Sequence, residues 1–183
     1  FMDNNWGKGL PPAEKNQDRW PLMAPLLANP TLAADGVDIQ NSVERFKELL
    51  RIRNSSKLFR LTTGQQIRDM VRFHNTGPQQ QLGLIAMSVQ DAEGYVDPFH
   101  QSIVTLINAN QSAASIAIPE FQQQALSLHP VLETANDPRV QEANFDPMQA
   151  QFLVPARSAI VFVQTRDAIQ QVDLLLTLID EFS

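Results

Sequence analysis

The sequence contains no cysteine. Disulfides, thiolate catalysis and cysteine-based zinc sites are therefore excluded, while the cellular compartment stays open. Histidine is scarce as well. His74, His100 and His129 stand alone, with no carboxylate or second histidine at metal-ligand spacing, so a structural role is expected for each. The chain has no glycine-rich phosphate loop, HExxH, GxSxG or EF-hand pattern, and neither a cofactor nor a metal is expected. No apolar run approaches the roughly 18 residues that a membrane span requires. Nor does a basic stretch followed by an apolar run come after Phe1, as a signal peptide would demand. Positive charge is in deficit: 14 Lys and Arg against 20 Asp and Glu give a net charge of −6. That balance argues against a nucleic-acid partner. Locally it reverses, since eight of the fourteen basic residues fall between Arg45 and Arg72. This cluster reads as a solvated helix face and a charged helix end.

What is present suffices for a core: 43% of 183 residues are apolar. Four zones differ in texture. Up to about residue 37, Pro11, Pro12, Pro21, Pro25 and Pro30 forbid a long helix and predict loop, with one short helical turn around Pro21–Ala28. Ile39, Val43, Phe46 and Leu50 then recur at helical spacing and predict a helix over 38–53, with Asp38 as its N-cap. After a helical turn near Gly64–Asp69 come seven short runs rich in β-branched and aromatic residues: MVRFHN, LGLIAMSVQ, SIVTLIN, SIAIP, LSLHP, QFLVP and SAIVFVQ. Turn signals bound them, including Asn144-Phe145-Asp146-Pro147, and the pattern predicts a mainly β, antiparallel sandwich. LGLIAMSVQ and SAIVFVQ are apolar on both alternating sets, which predicts central strands covered on both faces. Finally, Ile169, Val172, Leu176 and Ile179, broadened by Leu175, Leu178 and Phe182, predict an amphipathic C-terminal helix that needs a partner surface.

Chemistry is sparse in these zones. Glu14 and Asp18 are four apart among prolines, and Asp91 and Glu93 sit in a turn where solvated carboxylates are ordinary. Neither pair forms a self-contained catalytic set. The opening stretch reads better as a binding surface. Trp6 and Trp20 could stack on sugar rings while Asn4, Asn5, Lys15, Asn16 and Asp18 bond hydroxyls; equally, both Trp could simply anchor a long loop.

Three stretches carry a resemblance: DNNWGKGLPPAEKNQDRWPLMAPLLANP, FKELLRIRNSSKLFRLTTGQQIRDMVRFHNTGP and LVPARSAIVFVQ. They are similar, in order over residues 1–164, to the C-terminal part of pullulanase-type debranching glycoside hydrolases of the alpha-amylase superfamily, limit dextrinases especially. The resemblance implies a parent enzyme that hydrolyses α-1,6 links in pullulan and limit dextrins and is built on a (β/α)8 barrel. It implies that residues 1–56 are the loop and final helix of that barrel, 57–164 the C-terminal β-sandwich and 165–183 an appended helix. The parent's catalytic carboxylates would lie on earlier barrel strands, so no catalytic residue is assigned here and the chain alone should be inactive. Lys15 and Asp18 map onto the positions that contact glucosyl hydroxyls, and Asn5 and Trp6 join them as expected substrate-binding residues. The expected partners are the barrel, the α-glucan and, through exposed helices, a second copy of the chain, with no nucleic acid and no membrane. The alternative is a carbohydrate-binding or interaction module without hydrolase activity.

Overall fold

A computed structural model describes residues 9–181. The chain divides into two compact units, Phe1–Val43 and Glu44–Ser183. In the first, the prolines start helical segments rather than merely prevent them. Ala13–Asn16 (α1) follows Pro12, a 3-10 turn covers Gln17–Arg19, and Trp20–Ala28 (α2) has Pro21 in its first turn. A further 3-10 turn opens at Pro30, its free N–H groups capped by Asn29. Proline suits such positions because its fixed φ is already helical and the missing N–H would have had no partner. The helical turn expected around Pro21–Ala28 is α2, while the loop expected around it contains further short helical pieces.

Gly36–Ser55 forms α3, longer at both ends than the spacing predicts. Its cap is Asp35, not Asp38. The Asp35 Oδ1 accepts from the Val37 and Asp38 backbone N–H at 2.8 and 2.9 Å, and Asp38 Oδ2 accepts from the Asp35 N–H at 3.1 Å. This reciprocal box puts Asp38 at the third helical position. The apolar stripe of α3 does not enter the core: Val43, Phe46, Leu49 and Leu50 are all exposed, Phe46 at 62%. The buried residues of the helix are Glu48 and Ile52. Glu48 takes Arg45 Nη1 at 2.7 Å and the Asn136 N–H at 3.3 Å, while Arg45 also reaches the Ala159 carbonyl at 3.4 Å.

After a capped 3-10 turn at Lys57–Arg60 and the helix Gly64–Met70 (α4), with its Thr63/Gln66 capping box, the sandwich begins. Its strands are Val71–Phe73 (β1), Leu84–Gln90 (β2), His100–Asn108 (β3), Ala114–Ala117 (β4) and Ser127–Leu128 (β5). The short helix Pro130–Glu133 (α5) leads on to Asn144–Asp146 (β6), Gln151–Val154 (β7) and Ser158–Thr165 (β8). All pairs are antiparallel, in sheets ordered β1-β2-β3-β8-β5 and β4-β7-β6. β6 falls in a stretch that reads as turn. Phe145 turns it into an edge strand by pairing with Phe152, ring centroids 4.4 Å apart. The turn itself follows, where Asp146 Oδ1 accepts from the Met148 N–H at 2.8 Å.

Both sheets contribute to one buried cluster. At its centre Phe152 meets Phe162 at 5.3 Å and Phe121 at 6.1 Å, both edge-to-face, an arrangement favoured by the ring quadrupoles. β8 is covered on both faces, since Ile160, Val161, Phe162 and Val163 are all buried. β2 departs from expectation. It lies one strand from the sheet edge, and Ile85 is 50% exposed opposite the exposed Ile107. Ala168–Glu181 (α6) closes the described chain. Ile169, Val172, Leu175 and Leu176 on it are exposed. Leu174 packs against Gly94, a glycine at φ +80° where any Cβ would collide with the Leu174 side chain. The Leu178 and Ile179 side chains and Phe182 lie outside the described residues.

Candidate functional site

Lys15 lies within α1 and Asp18 in the 3-10 turn that follows; both are exposed. Asp18 Oδ2 is 3.3 Å from Arg19 Nε, with both side chains at least 70% exposed. Such a pair adds little stability and leaves the carboxylate open to a ligand. Trp20 is half-buried, and its indole N–H donates to the Pro11 carbonyl at 2.9 Å. That bond closes the segment carrying Lys15 and Asp18 on itself. Asn4, Asn5 and Trp6 lie outside the described residues.

The histidines are not isolated in space. His74 Nε2 is 2.8 Å from Ser88 Oγ and 3.3 Å from Glu120 Oε1, with its ring edge-on to Phe121. Burial lowers its pKa against the pull of Glu120, and Arg72 pushes the same way as burial. His129 Nε2 lies 2.9 Å from Ser55 Oγ, which suggests a nucleophile–base pair. The surrounding hydrogen bonds exclude that role. His129 Nδ1 accepts from the Val131 N–H at 3.2 Å, so the neutral ring carries its proton on Nε2 and donates to Ser55. Ser55 Oγ in turn donates to the Ile52 carbonyl at 2.7 Å. No lone pair is left on Nε2 to take the serine proton. Burial, with a smaller push from His100, lowers the His129 pKa and keeps it in this neutral form.

The turn carboxylate Asp91 is not solvated as the sequence suggests. It is buried and accepts from the backbone N–H of Tyr95, Val96 and Asp97 at 2.9–3.1 Å. Arg166, also buried, donates to the carbonyls of Asp91, Ala92 (3.1 Å) and Asp97 (3.3 Å) and lies 3.7 Å from Asp91 Oδ2. Asp97 completes the knot. It accepts from Ser56 Oγ, from the Lys57 N–H at 3.1 Å, and from the Phe99 and His100 N–H at 2.8 and 3.0 Å. Burial alone would raise the Asp97 pKa. Hydrogen bonds from His100, Ser56 and the two backbone N–H groups outweigh it and hold the carboxyl well below the usual range. A carboxylate so held cannot serve as a general acid. Glu93 is exposed, so this pair does not form a catalytic dyad. Among the described residues, no group of three or more His, Asp or Glu gathers to hold a metal, and no helix is long and apolar enough to cross a membrane. The knot had no signal in the sequence, because Arg166 and Asp91 are 75 residues apart.

Fold and site together define a β-sandwich domain whose buried polar groups are spent on tying loops together. The sequence profile of the family described as alpha-1,6-glucosidases, pullulanase-type, C-terminal, matches residues 1–165, and the chain belongs to that family. It is 40% identical over 173 residues to chloroplastic pullulanase 1 of Arabidopsis thaliana, an alignment covering 91% of this chain and 18% of the relative. With a pullulanase of Klebsiella pneumoniae the identity is 30%, covering 75% of this chain and 13% of the relative. The chain thus spans less than a fifth of either relative's length. The same fold occurs in the crystal structure of PulA from Klebsiella oxytoca, with a TM-score of 0.75 at 24% identity over 88% of this chain and 15% of that one. A maltotriose complex of PulA from Klebsiella pneumoniae gives the same TM-score and identity over 87% of this chain and 17% of that one.

Proposed function

We propose that the chain is the non-catalytic C-terminal region of a debranching glycoside hydrolase acting on α-1,6-glucosidic links in pullulan and limit dextrins. The observation that carries this reading is the family match over residues 1–165. Residues 1–56 act as the substrate loop and last helix of a (β/α)8 barrel, 57–164 as the sandwich and 165–183 as an appended helix. The exposed Val43, Phe46, Leu49 and Leu50 of α3 support a docking role for that helix. Lys15, Asp18 and Asn5 bond glucosyl hydroxyls at the cleft rim, and Trp6 stacks on a sugar ring. The purified 183-residue chain should release no reducing sugar from pullulan, whereas a longer protein carrying the upstream barrel should. Measurable hydrolysis by the short chain overturns the non-catalytic assignment. In the longer protein, Lys15→Ala or Asp18→Ala should lower kcat/KM by roughly 10–100-fold, the worth of one charge-assisted hydrogen bond.

A second reading concerns the chain by itself. The exposed apolar faces of α3 and α6 favour self-association when no barrel is attached. Sedimentation of the 183-residue chain should show a dimer or larger species, and a strictly monomeric profile refutes it.

A further inference from the structure

The connection from β2 to β3 is held with unusual firmness for a surface loop. Asp91 takes three of its backbone N–H groups, and buried Arg166 grips three of its carbonyls. Leu174 of α6 leans on its Gly94. At the tip of this braced loop stands Tyr95, 83% exposed and the chain's only tyrosine. An exposed aromatic ring on a rigid support loses little freedom when a ligand stacks on it. Tyr95 helps to line two clefts. One, of about 470 Å³, is lined by Lys57, Arg60, Thr62 and Gln66. The other, of about 320 Å³, is lined by Gln65, Asp69, Gln90 and Glu93. Gln66, Tyr95 and Val96 line both, so the two clefts adjoin at the tyrosine.

We propose that these adjoining clefts are a binding site for a linear α-glucan segment, with one glucosyl ring stacked on Tyr95 and its neighbours reaching into the two clefts. The choice of ligand rests on the reading of the chain as part of an α-glucan hydrolase. The local chemistry fits it independently. A pyranose presents an apolar C–H face to a π-face and a rim of hydroxyls to polar side chains, and a tyrosine flanked by amide, guanidinium and carboxylate groups offers both. Arg60 and Lys57 supply donors in one cleft, Glu93 an acceptor in the other.

The test is calorimetric titration of maltoheptaose into the 183-residue chain, with cellohexaose as the flat control. Saturable binding of maltoheptaose, with a dissociation constant of roughly 0.1–1 mM, is expected. Tyr95→Ala should weaken it roughly tenfold. Tyr95→Phe, which keeps the ring, should bind within about twofold of the parent chain, and Arg60→Ala should fall between the two variants. Because Tyr95 is 83% exposed, both variants at that position should unfold at the same denaturant concentration as the parent chain. Absence of binding, equal binding of cellohexaose, or affinity untouched by Tyr95→Ala overturns the proposal. Pullulan hydrolysis by the longer protein is read separately. If hydrolysis is present and Tyr95-dependent binding is absent, the site fails while the proposed function stands. If Tyr95-dependent binding is present without hydrolysis, the site stands and the function fails.

Discussion

From Gly9 to Val43 no described residue is buried, although Leu22, Leu26, Leu27 and Leu32 are among them. From Glu44 onward the chain builds one continuous apolar cluster, with Phe121, Phe152 and Phe162 essentially out of water. The second region has what a domain needs to hold itself together. The first has the composition of a packed structure without the packing. Each leucine left in water forgoes about 1.5–3 kcal/mol of burial free energy. α3 shows the same contrast within one element, burying Glu48 and Ile52 while showing Phe46 and Leu50 to solvent.

The contrast can be broken most severely in the aromatic centre. Phe162→Ala should cost about 3–5 kcal/mol and remove most of the cooperative urea transition of the sandwich. Were the cost below about 1 kcal/mol, the claim of a self-sufficient core would fail. Next is the buried knot. Arg166→Met leaves three carbonyls short of a donor and the buried Asp91 carboxylate without its counter-charge, and should destabilise by about 3 kcal/mol in the same unfolding experiment.

A smaller effect follows from acid titration. The folded pKa of Asp97 is lowered, so its contribution is complete above the unfolded value near 3.8 and is lost as pH falls from there toward the folded value. His74 and His129 are also lowered, which means the unfolded chain takes up protons first as pH drops below about 6.5. Stability should therefore decline in two stages, beginning near pH 6.5 and steepening below about pH 4. Asp97→Asn should flatten the lower stage only, as read from denaturant midpoints across pH. The smallest effect is expected on the outward face of α3. Phe46→Ser should shift stability by no more than about 0.5 kcal/mol while reducing self-association in sedimentation. A large loss would mean that Phe46 is buried in solution.

The sequence by itself determined the helix over α3, most of the strands and the kinship of the chain. Periodicity and turn residues are local signals, and the shared stretches are long. It did not reveal β6, because Asn-Phe-Asp-Pro spells a turn until Phe145 finds Phe152 across the sheet. It also left Asp91 in solvent and the histidines alone. Their partners, Arg166, Glu120, Ser88 and Ser55, are brought near only when distant strands, turns and α3 pack together. Which face of α3 turns inward was likewise a tertiary decision. An apolar stripe announces that a partner exists, while Arg45 and Glu48 reach the sandwich through hydrogen bonds that no hydrophobic pattern encodes.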